Sequence, residues 1–98
     1  MLQVLRVTGD SLSPEYKEGD FVLVVKIPFF FRTIRPGDII VFRQMAYGEL
    51  IKCVERIDST YGLIYVRGSH PESTDSRKFG PVPISDVIGK VIWHIRNN

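Results

Sequence analysis

A turn signal occurs twice in this chain, each time followed by a short, strongly β-branched run. Gly19-Asp20 precedes Phe21-Val22-Leu23-Val24-Val25-Lys26, and Pro36-Gly37-Asp38 precedes Ile39-Ile40-Val41-Phe42-Arg43. Each run is too short to be stable as a helix, and its branched side chains suit a pleated surface. Upstream, residues 2 to 8 read as a strand that stops at Gly9-Asp10-Ser11. Residues 49 to 57 and 63 to 67 form two further strand candidates joined by Asp58-Ser59-Thr60-Tyr61-Gly62, a connection suited to a hairpin, and Val87 to Ile95 reads as a closing strand. Between them, Gly68 to Pro83 contains three prolines and many polar residues, so it is expected to be an ordered loop without regular structure. A loop of that length in so small a domain is usually functional. The expected fold is all-β: a small, partly open β-barrel or coiled antiparallel sheet, in a single domain over residues 1–98.

Composition narrows the chemistry. The 13 basic and 11 acidic residues give a net charge of +2 and are interspersed, with no basic stripe to follow a phosphate backbone, which argues against nucleic acid as a partner. One cysteine, Cys53, permits no internal disulfide, and two distant histidines provide no zinc-ligand spacing, so neither metal nor other cofactor is expected. No apolar run approaches the roughly 20 residues that a membrane-spanning helix needs. No targeting segment is recognised at the N-terminus.

Lys52 is the unusual residue of the fourth strand candidate. Alternation puts it on one face with Leu50 and Val54, while Glu49, Ile51, Cys53 and Glu55 occupy the other. A lysine on the more apolar face either snorkels at a sheet edge or sits where burial disfavours its charged form, and the pattern is compatible with both.

Gly9-Asp10-Ser11-Leu12-Ser13-Pro14, followed by Glu18-Gly19-Asp20-Phe21-Val22-Leu23-Val24, resembles the nucleophile segment of the S24/S26 serine peptidases, which include signal peptidases and LexA-like autopeptidases. Pro36 to Phe42 and Leu50 to Val54 resemble that family's next strand and its lysine-bearing segment. Ser73-Thr74-Asp75-Ser76-Arg77-Lys78-Phe79-Gly80-Pro81-Val82-Pro83 resembles a box of the signal peptidases that LexA-like proteins lack. The compact length is similar to that of nickel-type superoxide dismutase maturation proteases. Leu12 replaces the family's usual methionine, and Gly68-Ser69-His70-Pro71 stands where the family has Gly-Asp-Asn.

The resemblance implies a serine endopeptidase that cleaves signal or leader segments of precursor proteins, with Ser11 as nucleophile and Lys52 as general base. It further implies that the Ser11 backbone N–H donates to the oxyanion, that Ser73 orients Lys52, and that an Asp75–Arg77 ion pair supports the loop. The substrate would bind as an extended strand. A LexA-like autopeptidase would need a DNA-binding region and an internal cleavage segment, and an inactive peptide-binding domain of the same fold is a further alternative. Phe29, Phe30 and Phe31 are adjacent aromatics between two strands; they suit either peripheral membrane contact or the capping of an open barrel end. Membrane association is expected if an N-terminal anchor exists, and a cytoplasmic location otherwise. Cys53 should point away from Lys52, His70 and His94 read as structural or surface residues, and Trp93 reads as packing.

Overall fold

The computed structural model describes residues 2–7, 19–26, 34–68 and 75–96. Among the described residues, seven strands run in chain order: β1 Leu2–Arg6, β2 Phe21–Lys26, β3 Ile39–Gln44, β4 Gly48–Asp58, β5 Leu63–Arg67, β6 Val82–Pro83 and β7 Val87–Ile95. A one-turn helix, α1 Ser76–Phe79, precedes β6. The strands form one antiparallel sheet in the order β1-β2-β7-β3-β4-β5-β6, open at both edges and not closed into a barrel.

The turn signals explain the strand starts. At Pro36-Gly37-Asp38, Gly37 adopts φ 95°, and the Asp38 carboxylate accepts a hydrogen bond from the Arg35 N–H at 2.8 Å, which closes the turn before β3. At the β4–β5 hairpin, the Asp58 carboxylate accepts from the Thr60 N–H at 3.1 Å. Residues 68–83 depart from the expected irregular loop, because they include α1 and the two-residue strand β6. The tight pairing of Ile64 with Val82 joins the end of this segment to the sheet edge, and the Asp75 side chain caps α1.

The sheet buries opposite faces at its two ends. Ile40, Phe42, Val54, Ile64, Val66 and Val82 form one core with Ile34, while Val41 points to the other side of β3 and packs with Val7, Val22 and Val24. Strand β7 joins the two halves by pairing with both β2 and β3, and its registers shift by one residue against each. Gly89 lies at this junction, where an added Cβ would press against the Val25 carbonyl oxygen and the Val24 side chain. Gly89→Ala is therefore expected to cost about 2–3 kcal/mol, measurable as a lower urea midpoint with an unchanged m-value.

Trp93 differs from its expected packing role: it is 66% exposed. β7 is apolar on both faces through Val91, Ile92 and Trp93, so alternation alone does not reveal which face the core covers.

Candidate functional site

Lys52 sits in the middle of β4 and pairs directly with Ile40 of β3. It is only 2% exposed, with buried Val54 and partly buried Leu50 on the same face of its strand. Of the two dispositions that the sequence leaves open, the lysine therefore adopts the buried one. The next strand over places Lys90 on the same row, where its Nζ lies 3.1 Å from an Asp38 carboxylate oxygen. Cys53 projects to the opposite face, as alternation requires.

Ser11 and Ser73 lie outside the described residues, as do His70 and Phe29, Phe30 and Phe31. The stem from which the Ser11 segment departs is well defined. The Val7 N–H donates to the Asp20 carbonyl at 2.7 Å, and the Gly19 N–H donates to the Val7 carbonyl at 2.9 Å. The buried Asp20 carboxylate contacts His94 Nε2 at 2.7 Å, which ties this stem to β7. That pair joins residues 74 apart in the chain, and no local pattern encodes it beyond the Gly19-Asp20 turn signal.

A cleft of about 140 Å³ opens between this stem and the lysine strand. Leu5, Val7, Val22, Val41 and Ile51 give it an aliphatic lining, and exposed Arg6 and Glu49 contribute its charged groups. Val7 is the last described residue before the Ser11 segment, and Ile51 immediately precedes Lys52. No local sequence pattern marks this cleft, since its walls come from four strands and only the sheet's coiling brings β1 against β4.

The structure brings Asp75 and Arg77 together. Arg77 donates from Nε at 3.0 Å and from a terminal nitrogen at 2.7 Å to the fully buried Asp75 carboxylate. The same carboxylate accepts from the Gly68 N–H and from the Arg77 N–H, both at 3.0 Å, so it closes the two ends of the 68–75 connection. Beside it, Ser76 Oγ accepts from the Val66 N–H at 2.8 Å. Burial by itself would raise the Asp75 pKa, but the Arg77 side-chain hydrogen bond, the two backbone donors and the Arg77 charge together lower it to about 2 from 3.8. The folded state thus holds Asp75 ionised more strongly than the unfolded chain does. This contributes about 2 kcal/mol that is fully present above the unfolded value and lost as pH falls through the folded one. Urea unfolding at pH 6, 4 and 2 should show little loss across the first step from this group and most of its contribution lost across the second.

Among the described residues, no three His, Cys, Asp or Glu side chains are grouped to hold a metal ion, and no helix is long and apolar enough to cross a membrane. The described residues thus form an open antiparallel sheet with Lys52 buried on its inner strand β4. The chain belongs to the Peptidase S24-like family, whose model matches residues 1–92. No curated protein matches the chain.

Proposed function

We propose that the chain is a serine endopeptidase that cleaves an extended segment of a precursor protein, with Ser11 as nucleophile and Lys52 as general base. The observation that carries this reading is the burial of Lys52 on the apolar face of β4, the strand whose opposite face contributes Ile51 to a cleft beside the departure of the Ser11 segment. Ser11 is four positions beyond Val7, a reach of at most about 14 Å. Burial disfavours the charged form of an amine, and a neutral amine is what a serine hydroxyl needs beside it.

In this mechanism the Lys52 amine takes the Ser11 proton as Oγ attacks the scissile carbonyl carbon. The resulting ammonium returns that proton to the leaving amine, and the amine then activates the water that hydrolyses the acyl-enzyme. The Ser11 N–H donates to the oxyanion; Gly9 has no side-chain donor to add. Ser73 orients the lysine, and the Asp75–Arg77 pair fixes the connection that carries Ser73. The cleft accepts one small or medium apolar side chain of a substrate lying along the strand edge. The Ser73 to Pro83 box favours signal or leader segments as substrates, in the manner of signal peptidases and of the compact superoxide dismutase maturation proteases.

The family match is to the S24-like group, and it favours a second reading in which the cleaved bond lies in the same polypeptide. Mass spectrometry of the chain incubated alone and with a precursor peptide separates the two. Cleavage of the added peptide, abolished by Ser11→Ala, supports the first reading. Conversion of the chain itself at a rate independent of its concentration supports the second.

A further inference from the structure

Asp20 is held through both its backbone and its side chain at the base of the connection that carries Ser11. Its carbonyl accepts from the Val7 N–H at 2.7 Å, and its buried carboxylate lies 2.7 Å from His94 Nε2. A carboxylate offers only acceptors, so the imidazole donates from Nε2 in this contact. Val7 and Asp20 extend the β1–β2 ladder one step beyond its last strand pair, Arg6 with Phe21. Residues 8–18 join the sheet at this stem, so its orientation sets where the Ser11 segment starts.

His94 pairs with Val22, and Val22 with Leu5, so the three form one row across β7, β2 and β1. Leu5 and Val22 line the cleft, and Asp20, two positions before Val22, shares their face. Farther along β7, Lys90 lies on one row with Ile40 of β3 and Lys52 of β4. Strand β7 therefore carries at one end the group that holds the stem and at the other a residue in register with the candidate base. Between them the β2–β7 ladder shifts register at Leu23/Val24, and a bulge bends and twists a strand pair at such a point. The Asp20–His94 contact lies on the stem side of the bulge, where a side-chain tie fixes an angle that the interrupted ladder constrains less. A nucleophile that must meet its base within about 0.5 Å of the productive geometry needs such support from residues outside the reacting pair.

We propose that His94 is a positioning residue for the Ser11 segment: by holding the Asp20 carboxylate it fixes the stem relative to the strands that carry Lys52. Its effect on turnover rests on the Ser–Lys reading, and its effect on the stem does not. Glutamine at position 94 brings an amide N–H to the place of Nε2, whereas the same amide in asparagine stops one methylene short, so the two variants differ in reach and not in hydrogen-bonding chemistry.

The test compares His94→Gln, His94→Asn and His94→Leu in the full chain, well below their melting temperatures, by NMR-detected amide exchange and by steady-state cleavage of a precursor peptide. His94→Gln should stay within about threefold of the parent in both measurements. His94→Asn and His94→Leu should speed exchange of the Val7 and Gly19 amides by at least about tenfold, while the amides of β4 and β5 change only as far as the drop in global stability accounts for. The same two variants should lower kcat about 10–100-fold with KM within about twofold of the parent. Should the leucine variant not fold, the glutamine and asparagine variants carry the comparison. Acceleration spread evenly over the sheet assigns the contact to stability alone and overturns the proposal, as does a rise in KM at unchanged kcat, or an asparagine variant indistinguishable from the glutamine one. A parent chain that leaves the peptide intact, or cleavage that survives Ser11→Ala, overturns the peptidase reading instead, and the exchange pattern then decides the role of His94 at the stem by itself.

Discussion

Lys52→Met is expected to lower kcat/KM for precursor cleavage by at least about 10³-fold while leaving the melting temperature within a few degrees of the parent. Methionine fills nearly the volume of the lysine stem, and the position is walled by Leu50, Val54 and Ile40, so an apolar side chain fits the site. Removing a buried ammonium-forming group also removes its desolvation cost, which offsets the interaction that the amine gives up. Ser11→Ala should lose activity to a similar extent, and the double variant should be no worse than either single one, because nucleophile and base act as one unit. Additive losses would mean that the two residues work separately. The parent pH–rate profile should rise as the amine loses its proton, below the ordinary lysine value of about 10.4, and both variants should lack that limb.

The opposite pattern is expected at Asp75. Asp75→Ala removes a fully buried carboxylate that accepts from Gly68, from the Arg77 backbone and from two nitrogens of the Arg77 guanidinium. It leaves two backbone N–H groups without their acceptor and deprives α1 of its cap. The expected loss is about 3 kcal/mol, or a fall of roughly 10–15 °C in Tm for a domain of this size. Arg77→Gln should be milder, because the guanidinium is substantially exposed and a half-solvated partner contributes less. Thermal unfolding of the two single variants and the double variant gives the coupling directly. A loss at Asp75→Ala no larger than at Arg77→Gln would place the stabilisation in the ion pair and not in the backbone donors.

Strands were the legible part of this fold, and the reason is local. Ile39–Gln44 and Phe21–Lys26 are runs of branched and aromatic residues behind turn signals, and Leu63–Arg67 and Val87–Ile95 have the same character. The order of the strands was not legible, because β7 enters between β2 and β3 from the far end of the chain and no local pattern encodes that insertion. Helix α1 escaped notice for a related reason. Four residues have no helical period, and the turn exists because the Asp75 carboxylate caps it. At the candidate site, alternation identified the face of Lys52 but not its burial, which depends on how the core under β3, β4 and β5 closes over that face. The exposure of Trp93 was hidden by the opposite problem: a strand apolar on both sides gives no indication of which side the core covers.

The Ser–Lys mechanism requires that the Lys52 amine reach the Ser11 hydroxyl. A crystal structure of the active chain that resolves both side chains measures this directly through the Nζ–Oγ distance. A separation within about 2.6–3.2 Å, or bridged by one water, is the expected result. An Oγ turned to solvent on the far side of the sheet from Nζ would contradict it, whatever the cleavage assays report.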